Sequence, residues 1–312
     1  MGLTQSIMAQ RKVNNLMKII RVFPTRTSLT PSDGLSYSGK RNPKGGWFFH
    51  GTPPLDLPEA DEVHISCSFT WDKPEAEMLY EAWGQYYPVV KIGGPAYGNI
   101  THNFKAGMYL KEGVTFTTRG CNNDCPWCLV REREGKLYEF SDFSAGNLIQ
   151  DNNLLQASNT HLDKVFSMLK TQRAIEFTGG LDARLITDDV ADRLRSIRIK
   201  QLFLASDTEG ALKPLQRAIK KLWGLSLNKI RCYVLIGFNN ETIEHAEGRL
   251  IDVFNSGCLP YAMLYQPPTD KKVIWPYEWR NFARTWQRPA AMKAYMKYQE
   301  PKESKQFLEE ML

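Results

Sequence analysis

Three cysteines, Cys121, Cys125 and Cys128, stand within eight residues of one another. Three closely spaced thiolates can bind three irons of a four-iron four-sulfur (4Fe-4S) cluster and leave the fourth iron open to an exogenous ligand. Zinc is the alternative metal, but a structural zinc site takes four ligands in paired short spacings. No further Cys or His lies close enough in the sequence to complete a second pair. The spacing therefore favours the iron-sulfur cluster.

The thiols end a short β-branched segment that starts at Gly113, and Trp127 stands directly before the last cysteine. This segment resembles the signature of the radical S-adenosylmethionine (radical SAM) superfamily. The resemblance implies that the open iron binds S-adenosyl-L-methionine and that one electron cleaves it to methionine and a 5′-deoxyadenosyl radical. That radical would abstract a hydrogen atom from a substrate. The electron would come from a donor such as flavodoxin or ferredoxin.

Length and composition describe a globular chain. Its 312 residues, 42% of them hydrophobic, can bury a substantial core in one large or two modest domains. The net charge of +6 permits an anionic partner but does not require one. Cys67, Cys232 and Cys258 stand singly in apolar stretches and are predicted to be buried packing residues. No apolar run reaches the roughly 18 residues of a membrane span, so we expect a cytoplasmic protein without a membrane partner.

Residues 17–105, after an extension of residues 1–16, are predicted to form a small parallel, Rossmann-like α/β domain. Its expected elements are strands at 17–24, 62–70 and 89–95, a helix at 74–86 and a long loop at 25–58. The domain resembles a shortened form of the cobalamin-binding-like domain of one radical SAM branch. The cobalt-ligand motif Asp-x-His-x-x-Gly is absent, so cobalamin is not expected. His64 alternates within a strand and is predicted to be packed or hydrogen-bonded.

After the cysteines, strands and helices alternate, and six strands with right-handed crossovers predict a partial parallel (β/α)6 barrel over residues 106–268. The resemblance implies that it is a radical SAM barrel. The expected strands are 114–118, 147–152, 174–178, 201–206, 230–237 and 260–266. The loops at the carboxyl ends of barrel strands build the site. The residues that follow each strand are therefore the candidate site residues.

Asp151, Asn152 and Asn153 follow the second strand, where the resemblance implies contacts to the amino group of S-adenosylmethionine. A turn is an equally good interpretation, because Asp and Asn are strong turn formers. Gly179 and Gly180 follow the third strand and would allow close approach of the backbone to a ligand. Next to them, Asp182 and Arg184 are candidates for polar contacts.

Ser206 and Asp207 follow the fourth strand, where the resemblance implies contacts to the ribose hydroxyls of the cofactor. The alternative is a helix N-cap at Asp207 or Thr208. Gly237 ends the fifth strand, in a segment that packs beside the adenine in the family. The sequence identifies no catalytic residue.

Residues 269–312 are predicted to form a helical extension rich in aromatic residues. Trp275, Trp279, Phe282 and Trp286 recur at helical spacing and predict a packed face. Arginines lie between them, and interleaved rings and guanidiniums can also bind nucleic acid. The sequence thus indicates a radical SAM enzyme with an unidentified substrate. The alternatives are a nucleotide or nucleic acid as that substrate, or a non-catalytic iron-sulfur or zinc module that binds nucleic acid.

Overall fold

The computed structural model describes residues 17–31, 47–97, 109–267, 269 and 271–299. The chain divides into two compact units, Met1–Glu112 with Pro268–Lys272, and Gly113–Pro267 with Val273–Leu312. Each unit contains a parallel sheet with helices, so the fold is mixed α/β. Within the described residues, no helix is long and apolar enough to cross a membrane.

The first unit is a four-stranded parallel sheet with the strand order β2-β1-β3-β4. Its elements are β1 (Ile19–Phe23), β2 (Trp47–His50), β3 (Glu62–Ser66), α1 (Lys73–Gly84) and β4 (Val90–Gly93). The central strands bury Ile20, Val22, Val63 and Ile65, and α1 covers them with Ala76, Leu79 and Trp83. All three strands predicted for this domain are present, as is its helix.

The prediction of one uninterrupted loop at 25–58 is wrong, because β2 lies within it. The aromatic run Trp47-Phe-Phe-His50 favours a strand, but four residues are too few for a clear alternation of buried and exposed positions. Residues 32–46 of the predicted loop lie outside the described residues. The prediction for His64 is confirmed: its Nδ1 lies 2.5 Å from the Tyr109 hydroxyl and its Nε2 lies 2.6 Å from the Glu62 carboxylate.

The second unit is built on a six-stranded, entirely parallel sheet with the order β5-β8-β9-β10-β11-β12. Its elements are β5 (Val114–Thr115), β6 (Thr118–Arg119), α2 (Val130–Glu134), β7 (Tyr138–Glu139), β8 (Leu148–Ile149), α3 (Asn159–Lys170), β9 (Ile175–Leu181), α4 (Asp188–Arg195), β10 (Ile199–Ala205), α5 (Leu212–Lys221), β11 (Ile230–Ile236), α6 (Ile243–Asn255), β12 (Leu259–Leu264), α7 (Tyr277–Gln287) and α8 (Pro289–Gln299). The strands of this sheet follow one another in chain order. A strand therefore lies at each of the six predicted locations.

The largest boundary differences are in the first three strands. The first strand ends at Thr115, because Thr118 belongs to β6, which pairs antiparallel with β7. The second strand covers only Leu148–Ile149 of the predicted 147–152. The third strand runs through Gly179 and Gly180 to Leu181, so these glycines lie inside a strand and not in the loop after it. Glycine weakens an isolated strand, and it is accepted here because a neighbouring backbone lies too close for a side chain.

The core of the second unit lies between this sheet and its helices. Alternate residues of β11, from Ile230 to Ile236, are buried and cluster with residues of α5 and α6. Cys67, Cys232 and Cys258 are buried and free, as predicted for packing residues. In α7, Trp286 is fully buried in the same core. The packing interpretation of the aromatic extension is therefore confirmed for Trp286.

Candidate functional site

The cysteine loop connects β6 to α2 and is held at both ends by Glu134, the last residue of α2. The Glu134 carboxylate pairs with Arg119 and accepts the Gly120 N–H at 3.0 Å. It also accepts the side-chain amide of Asn152 at 2.6 Å. The predicted site residue Asn152 therefore fixes the frame around the cysteines.

The three thiols lie near one another and form no disulfide. Burial raises the pKa of Cys125, and the neighbouring Cys128 and Cys121 thiolates raise it further. Burial also raises the pKa of Cys128, against the effect of the Val130 N–H. In the part of the chain that the structure describes, no three Cys, His, Asp or Glu side chains converge as ligands of a metal ion. The three sulfurs are thus close enough for their charges to interact, but within the described residues they do not form a metal site with converging ligands.

The Asp151 carboxylate is occupied by the protein itself. It accepts the backbone N–H groups of Thr117 at 2.6 Å and Thr118 at 2.5 Å, and the Thr117 hydroxyl at 2.9 Å. Asp151 is only 2% exposed, and burial raises its pKa against these three donors. This carboxylate ties the end of β8 to the connection between β5 and β6, so it is not free to bind a cofactor as the resemblance implied.

Asn153 is the member of this triplet that reaches the cysteines. Its Nδ2 lies 3.9 Å from the Cys121 sulfur and 3.4 Å from Oδ2 of Asp182. Its Oδ1 is buried and has no hydrogen-bond partner among the described residues. A buried amide oxygen without a donor is costly. The vacant acceptor therefore points to a ligand that carries N–H or O–H groups.

Asp182 organises the polar side of the cysteine loop. Both of its oxygens accept from the Arg184 guanidinium, at 2.9 and 2.6 Å, and Oδ2 also accepts from Asn123 at 3.2 Å. Burial alone would raise the pKa of Asp182, but the hydrogen bonds from Arg184 and Asn123 outweigh it and lower that pKa. The carboxylate is therefore ionised, and it orients Asn123 and Asn153 beside Cys121.

The two predicted glycines serve the packing of the sheet. A Cβ on Gly179 would overlap the Asp151 carbonyl oxygen on the neighbouring strand. Gly180 has φ +88°, and a Cβ there would lie 3.6 Å from the Tyr233 ring. The close backbone approach expected at these positions is thus made to β8 and Tyr233.

A cavity of about 510 Å³ lies beside the cysteine loop, at the carboxyl ends of β10 and β11. Its lining is Trp127, Asp207, Thr208, Glu209, Gly210, Leu235, Phe238, Asn239, Glu241, His245 and Arg249. Trp127 comes from the loop itself and packs edge-on against Phe238, with ring centroids 5.6 Å apart. The cavity thus combines aromatic rings with carboxylates.

Asp207 faces this cavity and does not cap a helix. Its Oδ1 accepts the Leu235 N–H at 2.8 Å, and neither it nor Thr208 makes a capping hydrogen bond. Burial raises the pKa of Asp207, opposed by the Leu235 N–H and the charge of Arg249. The neighbouring Ser206 is buried and bonds through its backbone N–H to the Tyr233 carbonyl at 2.9 Å. Of this predicted pair, only Asp207 lines the cavity.

The far wall of the cavity was not predicted from the sequence. Glu241 accepts the Gly237 N–H at 2.8 Å and pairs with Arg249 at 2.6 Å. His245 bridges Glu241 at 2.9 Å and Glu209 at 3.0 Å. The signal was present, because His245 and Arg249 are four residues apart in α6 and so share one face, and Glu241 lies just before this helix begins. Gly237 itself, at φ +76°, packs against the Trp275 indole.

No protein-family model matches the chain, and no curated protein matches it either.

Proposed function

We propose that this protein is a radical SAM enzyme whose second unit is a partial (β/α)6 barrel. One observation carries the proposal: a loop with three free thiols adjoins a ligand-sized cavity where parallel strands, wound in chain order, end. Parallel α/β sheets place their active sites at this edge. At about 510 Å³, the cavity falls within the range of small-molecule and cofactor sites.

The chemistry of the donor set fits a 4Fe-4S cluster. Cys121, Cys125 and Cys128 would provide three thiolate ligands, the number that leaves one iron open. When bound, the cluster would supply the electron that cleaves S-adenosyl-L-methionine, and the resulting 5′-deoxyadenosyl radical would take a hydrogen atom from the substrate. The positive charge of Arg184 lowers the pKa of Cys125 and so opposes the burial and the neighbouring thiolates that raise it.

The surrounding residues fit S-adenosylmethionine. The vacant Oδ1 of Asn153 beside Cys121 would accept a hydrogen bond from the amino group of the methionyl moiety. In the cavity, the Trp127 and Phe238 rings offer apolar walls for an adenine, and the Asp207 carboxylate can accept ribose hydroxyls. In this proposal Asn153 would bind the methionyl half of S-adenosylmethionine and the cavity would bind its adenosyl half, and both lie at the same edge of the sheet.

The first test is anaerobic reconstitution of the full chain with iron and sulfide. We expect about four irons per chain and reductive cleavage of S-adenosylmethionine to 5′-deoxyadenosine, because one cluster with three thiolate ligands contains four irons. Replacing Cys121, Cys125 or Cys128 by Ala should abolish cleavage. Cys67→Ala is the matched control, since Cys67 is buried in the first unit, and it should retain the iron. Stoichiometric zinc without iron would refute the proposal.

The second test separates binding from support at Asp207. Asp207→Asn keeps an oxygen that can accept the Leu235 N–H but removes the charge, whereas Asp207→Ala removes both. If the carboxylate receives the ribose hydroxyls, both variants should bind S-adenosylmethionine about tenfold more weakly or worse, as expected for a lost charged hydrogen bond. Isothermal titration under anaerobic conditions measures this. Unchanged affinity in Asp207→Asn would remove Asp207 from the site.

A further inference from the structure

The second unit contains a strongly basic stretch of sequence. Residues 193–231 contain ten Lys or Arg and only two acidic residues, Asp207 and Glu209. Both acidic residues follow β10 and line the cavity at the carboxyl edge of the sheet. The charged residues of this stretch that lie outside the cavity lining are therefore all cations.

Two cations of this stretch, together with Arg173 from outside it, lie along the opposite, amino edge of the sheet. An exposed cation stands just before each of three neighbouring strands: Arg173 before β9, Arg198 before β10 and Lys229 before β11. The register places Lys229 three residues farther along the sheet than Arg198. With about 4.8 Å between strands and about 3.3 Å per residue, the three backbone positions form a diagonal row about 15 Å long. We call Arg173, Arg198 and Lys229 the basic row.

The basic row is not neutralised within the fold. None of its three side chains forms an ion pair with any residue in the described ranges. Other cations nearby are paired: Lys200 lies 2.7 Å from Glu176, and Arg193 lies 2.5 Å from Asp163. The charge of the basic row is therefore left for an external anion.

An exposed tryptophan lies in a loop at the same, amino edge of the sheet. Trp223, in the loop between α5 and β11, is 73% exposed. Arg195 supports this loop by donating to the Lys221 carbonyl at 2.8 Å and the Trp223 carbonyl at 3.4 Å, and its guanidinium lies 5.5 Å from the indole ring. The loop is therefore held by hydrogen bonds while its indole remains in contact with solvent.

We propose that the amino edge of the six-stranded sheet binds single-stranded nucleic acid. A row of unpaired cations matches a phosphate backbone, and an exposed indole at the same edge of the sheet offers a face on which a base can stack. A linear array suits an extended polyanion better than a compact one such as free phosphate. This binding surface is independent of the cysteine loop and goes beyond the proposed reaction.

The test is fluorescence anisotropy with the full chain and fluorescein-labelled, mixed-sequence 20-nucleotide DNA and RNA. We expect a Kd of about 10 μM or tighter in 50 mM salt, and about twentyfold weaker binding in 200 mM salt, as three phosphate contacts on a single strand predict. The variant R173E/R198E/K229E should lose binding. Trp223→Ala should weaken it about tenfold, as for one lost stacked base, and Trp223→Phe should restore most of it.

The matched control is R280E/R284E/K297E, which makes the same charge change on exposed residues of α7 and α8. This control should bind normally, and thermal melts should show that both triple variants are folded. Equal loss in the two triple variants would overturn the proposal, because it would indicate a general charge effect. Binding to anionic phosphatidylserine vesicles but not to the oligonucleotides would also overturn it, in favour of a membrane surface.

Discussion

The two edges of the six-stranded sheet use polar residues in opposite ways. At the carboxyl edge, Asp151, Asp182 and Glu241 are largely buried and accept hydrogen bonds from neighbouring backbone or side-chain groups. At the amino edge, Arg173, Arg198 and Lys229 are exposed and have no ion pair with a described residue. The acidic residues at the carboxyl edge therefore hold neighbouring segments of the fold together, whereas the cations at the amino edge lie on the surface and make no ion pair within the described residues. Substitutions should accordingly cost stability at the first edge and binding at the second.

Asp151 should give the largest effect on stability. Asp151→Ala leaves two buried N–H groups and one hydroxyl without an acceptor, so we expect the free energy of unfolding to fall by about 4 kcal/mol. Urea denaturation measures it, with the exposed Asp142→Ala as control, expected within about 0.5 kcal/mol of the parent. If Asp151→Ala is as stable as the control, the carboxylate is not part of the frame and its assignment to cofactor binding regains support.

Gly179 should give the next largest effect. A Cβ there would overlap the Asp151 carbonyl oxygen, so Gly179→Ala should lower the free energy of unfolding by about 2 to 3 kcal/mol through overpacking. Gly248→Ala is the control: Gly248 lies in α6 with open space around it, and the change should stabilise the protein by about 1 kcal/mol. Equal stability of the two variants would show that the glycine is not needed for strand packing.

His245 should give the smallest effect, because it is exposed and lies at the rim of the carboxyl edge. Hydrogen bonds that the imidazole donates to Glu241 and, to a smaller extent, Glu209 raise its pKa above the ordinary 6.5, and the charge of Arg249 opposes this. A raised pKa in the folded state stabilises the protein fully below the unfolded-state pKa, and this contribution is lost as the pH rises through the folded-state value.

The melting temperature of the parent should therefore decline slightly relative to His245→Gln as the pH is raised through this range. An NMR titration of the imidazole measures the pKa directly. A pKa below 6.5 would contradict the bridge between the two carboxylates.

The periodicity of the sequence alone predicts all six strands of the larger sheet and three of the four strands in the smaller one. Local pattern is enough there, because β-branched runs and helical spacing report which face of each element is buried. The cysteine spacing likewise predicts a metal-binding loop without any structure. The short β2 was missed, since four aromatic residues between glycines carry little periodic signal.

Only the tertiary structure decides which polar residues are free to bind a ligand. Asp151 and Asn153 follow the same predicted strand, and the sequence pattern does not distinguish their roles. The fold surrounds the Asp151 carboxylate with backbone N–H groups and leaves the side-chain oxygen of Asn153 without a hydrogen-bond partner among the described residues. The basic row is also invisible in the chain, where Arg173, Arg198 and Lys229 stand tens of residues apart. Parallel pairing brings them together, because residues that precede neighbouring parallel strands must share one edge of the sheet.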